Sequence, residues 1–100
     1  MFDKGGFVYI MANFRNGTLY VGVTSDLIVR IKQHKTNFHP DSFSAKYSCH
    51  LLVYYQLFST IESAIEEEKR IKGGSRKAKL KLIEKNNPNW EDLFETIETF

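Results

Sequence analysis

The sequence predicts an α+β fold, a small three-stranded and mainly antiparallel sheet flanked by helices in the order β-β-α-β-α-α-α. Three observations carry it. Two strand-length runs near the start enclose an Asn-Gly turn signal. A third run of aliphatic and aromatic residues occupies positions 51–58. From residue 59 onward the apolar residues recur every three to four positions, which is the helical period.

Residues 7–12 (FVYIMA) form a continuous apolar run, and Asn16-Gly17 marks the turn that follows. Residues 18–23 (TLYVGV) alternate, with Leu19, Val21 and Val23 on one face and Thr18, Tyr20 and Gly22 on the other. A turn centred between residues 14 and 15 sets Tyr9 opposite Tyr20 on a shared face. Gly22 weakens a strand unless something approaches the backbone closely. Thr24-Ser25-Asp26 supplies capping residues for a helix over residues 26–36, with Leu27, Ile28 and Ile31 as its apolar stripe. Arg30 and His34, four apart, share one flank of that stripe and point the same way. Residues 37–50 lack a period and read as a long loop.

Ser59 to Glu62 matches a capping box for a helix to about Lys72, with Ile61, Ala64, Ile65 and Ile71 inward and Glu66 and Glu67 toward solvent. Gly73-Gly74 end it, and Ser75 caps another through about Lys85. Asn87-Pro88 then opens a last helix, in which Trp90, Leu93, Phe94 and Ile97 fall at i, i+3, i+4 and i+7.

One hundred residues make a single domain, 1–100, and 42% hydrophobic content is enough to close its core. The lone Cys49 excludes an internal disulfide and a cysteine-rich zinc cluster. The opening MFDKGG lacks the basic and apolar regions of a signal peptide, and the longest apolar run is far short of a membrane span. The expectation is a soluble, cytoplasmic monomer with no membrane attachment. The net charge of +2 conceals strong patterning. Lys69, Arg70, Lys72, Arg76, Lys77, Lys79 and Lys81 form a basic block without an acid, flanked by glutamates before and an acidic tail after. Such a block reads either as a phosphate-binding patch or as a solvated helix face.

Glu68 is the most informative residue on pattern alone, because it falls in the middle of an apolar stripe. A carboxylate there is paired, protonated or bound to metal. A buried salt bridge to Arg30 or a neighbouring lysine and a site carboxylate both satisfy the pattern. Arg30 and His34 together suit a phosphate, since the guanidinium fork matches its oxygens, or form a solvent-facing helix pair. Tyr9 and Tyr20 read as ordinary strand tyrosines or as a pair reaching over a site. Asn87 is most simply a helix N-cap before Pro88. No Gly-rich phosphate loop, G-x-S-x-G elbow or zinc-ligand spacing is present.

Taken in order, Phe7-Val8-Tyr9, Tyr20-Val21-Gly22 and Arg30-Ile31-x-x-His34 resemble the motifs of the GIY-YIG nuclease superfamily. The downstream Ala64-Ile65-x-x-Glu68-Lys69-x-Ile71-Lys72-Gly73-x-x-Arg76-x-x-Lys79, with Leu82-Ile83-Glu84 and Asn87-Pro88-x-Trp90, is similar to a subgroup of small stand-alone bacterial proteins described as endonucleases. The resemblance implies metal-dependent hydrolysis of phosphodiester bonds with one divalent cation, Mg²⁺ or Mn²⁺, held by Glu68. It places Arg30 on the phosphate, where it stabilises transition-state charge. Tyr9 and Tyr20 become the motif tyrosines, with Tyr9 the first choice to activate or orient the attacking water and His34 supporting proton transfer. Asn87 matches the subgroup's Asn-Pro signature, as a site residue or as a helix cap. The sequence departs from the pattern at Phe7, where the first motif has Gly, and at Gly74, where the subgroup often has Trp.

The expected function is a DNA endonuclease, structure-selective or weakly sequence-specific, with a role in repair or recombination. Lys69, Lys72, Arg76, Lys77 and Lys79 would hold the nucleic-acid backbone, which positions a duplex without reading sequence. A protein partner supplying the targeting is compatible with this scheme. The alternatives are a non-catalytic nucleic-acid-binding module and a protein-interaction domain that docks through the acidic tail.

Overall fold

A computed structural model describes residues 5–97. Residues 1–4, read above for the absence of a leader, and residues 98–100 of the acidic tail lie outside the described residues. The elements run β1 (Gly6–Ala12), β2 (Leu19–Thr24), α1 (Leu27–Lys35), α2 (Phe43–Lys46), β3 (Leu51–Phe58), α3 (Ile61–Gly73), α4 (Arg76–Asn86) and α5 (Phe94–Ile97). This is the expected α+β order with one addition, the single-turn α2, inside the stretch whose lack of period predicts a loop. Ser42 starts that turn by accepting the Ala45 N–H at 3.3 Å.

The sheet order is β2-β1-β3, antiparallel throughout. β1 is therefore covered on both faces, which explains why it reads as a continuous apolar run rather than an alternating one. On one face Val8, Ile10, Val21 and Tyr54 pack with Ala64 and Ile71 of α3, Ile83 of α4 and Trp90. On the other, Tyr9, Met11 and Leu52 pack with Leu27 and Ile31 of α1, Cys49 and Ile97. β3 slips by one residue at Val53, between the Ile10–Tyr54 and Met11–Leu52 pairs, so that Val53 and Tyr54 both join the first cluster.

The hairpin register differs from the expected one by two residues. Tyr9 stands opposite Gly22, and Tyr20 stands opposite Met11. The two tyrosines keep the same face but become diagonal neighbours, with ring centroids 6.3 Å apart. The shift follows from Asn13, whose Oδ1 accepts the Phe14 and Thr18 N–H groups at 2.8 and 2.9 Å and lengthens the connection. The turn closes with Gly17 N–H donating to Phe14 O at 2.9 Å, and Asn16 takes the left-handed backbone at φ 60°.

The expected start and face of α3 are also corrected. Thr60, not Ser59, caps α3, accepting the Ser63 N–H at 3.1 Å, so the Ser59–Glu62 capping box does not form. Ile65 is exposed, and Glu67 is half-buried and forks onto Arg70 rather than pointing to solvent. The buried line of α3 is then Ala64 and Ile71, with Glu68 lying between them in sequence.

The tail departs most from its pattern. Asn87 is the C-cap of α4, and among the described residues of the tail only Phe94–Ile97 is helical. Trp90, at φ 55°, packs into the α3–α4 side with its Nε1–H donating to Glu84 at 2.8 Å, whereas Leu93, Phe94 and Ile97 belong to the α1 side. The segment thus wraps the outer edge of β3. Leu93 N–H donates to Leu52 O at 2.7 Å, and Asp92 Oδ1 accepts the Leu52 N–H at 3.2 Å, which covers backbone groups an edge strand would leave open. A helix with a single apolar stripe cannot serve two faces of a sheet, so the chain bends instead. No described helix is long and apolar enough to cross a membrane.

Candidate active site

The site begins with a glycine. A Cβ on Gly22 would lie 2.5 Å from both Cζ and the hydroxyl of Tyr9, so the Tyr9 ring lies directly over the bare Gly22 backbone. The close approach anticipated at this glycine is made by Tyr9 itself. Its hydroxyl reaches α1, where Arg30 and His34 project together as their four-residue spacing requires. It lies 2.8 Å from His34 Nε2 and 3.3 Å from Arg30 Nε, which donates to it.

His34 is engaged on its other side as well, with Nδ1 2.8 Å from Ser44 Oγ on α2. Arg30 Nη1 donates to Gln33 at 3.1 Å. The Tyr20 ring faces the group, 5.1 Å from the His34 ring, and stacks on Phe43 at 6.3 Å. Above them Tyr20, Arg30, Gln33, His34, His39 and Ser44 line a cleft of about 130 Å³.

Tyr9 is fully buried, and burial pushes its hydroxyl well above the usual phenol range despite the opposing pull of Arg30. His34, 6% exposed, is pushed down to about 4, first by burial, then by the charge of Arg30 and by His39 and His50. At neutral pH the centre is therefore a neutral phenol, a neutral imidazole and one guanidinium. It accepts protons at a nitrogen and presents positive charge beside it, an arrangement suited to an anionic substrate.

Four of the expected residues, Tyr9, Tyr20, Arg30 and His34, thus come together. Glu68 stands outside their hydrogen-bond network. It lies on α3, which packs on the other face of the sheet, and its Oε2 pairs with Lys72 at 2.8 Å. Of the alternatives for Glu68, the neighbouring-lysine ion pair is the one observed. Among the described residues, no three His, Cys, Asp or Glu side chains gather as a metal cage.

The basic block divides by use. Lys69 and Lys77 are exposed. Arg76 donates to Asn16 O and Gly17 O at 2.7 and 2.6 Å, tying α4 to the hairpin loop. Lys79 donates to Gly74 O at 2.9 Å and Lys72 O at 3.5 Å, satisfying carbonyls at the end of α3. Asn87 is not a helix N-cap. Its Nδ2 donates to Val53 O and Glu91 O, and its Oδ1 accepts the Glu91 N–H, which pins the start of the tail to β3.

Sequence reasoning missed Ser44 and Gln33. Gln33 is legible in retrospect as the i+3 neighbour of Arg30. Ser44 is signalled only by Asp41-Ser42 ahead of it, a short capping pattern inside an otherwise unpatterned stretch.

Comparison with known proteins shows the family. The GIY-YIG catalytic domain model matches residues 5–81. The chain belongs to the GIY-YIG family, a family of nucleases, and within it to the UPF0213 group. UPF0213 proteins of Staphylococcus aureus strains Mu3 and N315 are each 32% identical over 77 residues, spanning 77% of this chain and 92% of theirs. The solution NMR structure of a UPF0213 protein from Bacillus halodurans superposes with a TM-score of 0.55 at 27% identity, covering 88% of this chain and 92% of that one.

Proposed function

We propose that this chain is a divalent-metal-dependent endonuclease that hydrolyses DNA phosphodiester bonds, selective for structure or weakly for sequence. The observation that carries the reading is the convergence of Tyr9, Arg30 and His34 on one buried hydroxyl beneath a cleft, in a chain of the GIY-YIG family.

Arg30 has Nε and Nη1 engaged by Tyr9 and Gln33, which fixes the plane of the guanidinium and directs its remaining amino group to a phosphate oxygen. Tyr9 passes its proton to His34 Nε2 as it takes one from the attacking water, and Arg30 stabilises negative charge on the phenol oxygen. Tyr20, on the cleft wall, orients that water or the phosphate. Glu68 would hold the cation. A single, mostly buried carboxylate fits Mg²⁺ or Mn²⁺, which keep most of their waters and take further oxygens from phosphate, and Lys72, now paired with Glu68, would give way to the metal. When bound, the metal supplies polarisation of the phosphate and stabilises the leaving 3′ oxygen. Lys69, Lys72 and Lys77 would hold the DNA backbone. Arg76 and Lys79 would add charge while bracing α4 and the end of α3.

The test is incubation of wild type and Glu68→Ala with plain, nicked, flapped and branched DNA, in Mg²⁺ or Mn²⁺ and in EDTA. Metal-dependent cleavage by wild type that is lost in the variant supports the reading and the place of Glu68 in it. Equal, salt-sensitive binding by both proteins without cleavage replaces it with a non-catalytic binding module. Neither binding nor cleavage removes nucleic acid from the account and turns attention to a protein partner.

A further inference from the structure

We propose that Ser44 is a positioning residue of this site: from α2 it holds the His34 ring in the tautomer protonated at Nδ1, so that Nε2 faces Tyr9 as a proton acceptor. The catalytic consequence rests on the nuclease reading above, while the geometry stands without it.

His34 has a polar partner at each nitrogen, Tyr9 at Nε2 and Ser44 at Nδ1, both at 2.8 Å. A neutral imidazole carries one N–H, so one nitrogen donates and the other accepts. Ser44 is a hydroxyl and could meet either form; Tyr9 favours the Nδ1–H form, and Ser44 Oγ holds it by accepting the buried N–H that this form requires. The Tyr9 oxygen already receives the Arg30 Nε–H, and its own proton sits on a fully buried phenol that needs an acceptor. His34 Nε2 is the acceptor in reach. An Nε2–H ring would crowd a second donor onto the Tyr9 oxygen and strand the phenol proton, the costlier arrangement for a buried group. Nδ1–H therefore donates to Ser44 Oγ, whose own proton is left for Ser42 Oγ, 3.4 Å away.

An unconstrained histidine side chain favours the opposite form, with the proton on Nε2, so the tautomer needs an outside hold. The fold supplies one. Ser42 caps α2, Cys49 N–H donates to Ser44 O at 2.8 Å, and Ser44 itself is 3% exposed. A serine so placed has no room to leave the ring. It acts as the third group that orients a base.

During the reaction the water oxygen bonds to phosphorus as the P–O3′ bond breaks. The water's proton goes to the Tyr9 oxygen, Tyr9's own proton goes to Nε2, and the 3′ oxygen takes a proton from solvent. The imidazolium formed keeps both N–H groups partnered, by Ser44 and by Tyr9. Burial disfavours the charged ring first and Arg30 second, and the bound phosphate offsets the Arg30 part.

Long-range ¹H–¹⁵N NMR of the histidine rings reads the tautomer directly, with His34→Gln identifying the signal. Wild-type His34 should carry its proton on Nδ1 at neutral pH. Ser44→Ala should move it toward Nε2 and lower kcat on the best-cleaved DNA roughly tenfold or more with KM unchanged, within the ~10²–10⁴ that positioned proton transfer supplies. Ser44→Thr, which keeps the hydroxyl, should retain the Nδ1 proton and recover activity. An Nε2–H ring in wild type overturns the proposal, and that spectrum requires neither a folded variant nor a cleaved substrate. So does an unchanged tautomer in a folded Ser44→Ala protein. A correct tautomer and shift in a protein that cuts no DNA would sink the nuclease reading and leave the hold of Ser44 on the ring intact.

Discussion

On the α3–α4 face of the sheet, Val8, Ile10 and Val21 meet Ala64, Ile71 and Ile83, and the polar groups nearby are hydrogen-bonded for structure: Asn87 to Val53 and Glu91, Trp90 to Glu84. On the α1 face, one residue along the same strand, Tyr9 joins Met11, Leu27 and Ile31 in an equally buried cluster, yet its hydroxyl ends among Arg30, His34 and Ser44. Both faces are satisfied, with no buried side-chain nitrogen or oxygen left without a partner among the described residues. They differ in what the partners are. One face closes its hydrogen bonds on backbone carbonyls and one carboxylate. The other closes them among a phenol, an imidazole and a hydroxyl, groups that can pass a proton along. The pleat of a central strand thus allows stability and chemistry to be carried by alternate residues.

The largest expected effect that tests this contrast is on the α1 face. Tyr9→Phe should lower metal-dependent cleavage by about 10²–10⁴ while moving the urea midpoint far less than a core truncation does; similar activity in the variant would make Tyr20 the residue that meets the water. The counterpart one residue along is Ile10→Ala, fully buried on the α3–α4 face. It should cost about 2–5 kcal/mol of stability, with the activity of the remaining folded protein close to wild type.

The pH dependence comes next in size. The folded-state pKa of His34, about 4, lies below its ordinary 6.5 because burial and Arg30 disfavour the charged ring. Between those values the unfolded chain binds more protons than the folded one. The contribution of neutral His34 is therefore complete above pH 6.5 and lost as pH falls toward 4. On the order of 3 kcal/mol is at stake. Urea midpoints on either side of that window should show the fall, and His34→Gln should remove that component of it.

The smallest effect is that of Asn87→Ala, which deprives Val53 O and Glu91 O of a buried donor. About 1–3 kcal/mol of stability, without loss of cleavage per folded molecule, is the expected outcome. A folded variant with lost activity would return Asn87 to the site.

How much was legible depended on whether a residue's role was local. The three strands, the face of each β2 residue, the cap Ser75 and the joint projection of Arg30 and His34 all follow from spacing within one element. The register of the hairpin did not, because it hinged on the side chain of Asn13 bonding its own loop. Ser44 did not, because its partner lies ten residues away on another element. Glu68 reads from the pattern as a carboxylate on a buried line, and pattern alone leaves open whether Arg30, a lysine or a metal meets it.

The α+β class, the hairpin and the family motifs are legible in the chain alone, since hydrophobic period and turn chemistry act over a few residues and leave a direct imprint on it. Only the tertiary structure decided that Tyr9 lies across Gly22 onto His34, that Ser44 closes the far side of that ring and that the tail turns around the edge of β3. These are contacts between distant segments. They depend on where packing sets one element against another, and a single chain's spacing carries no record of that distance.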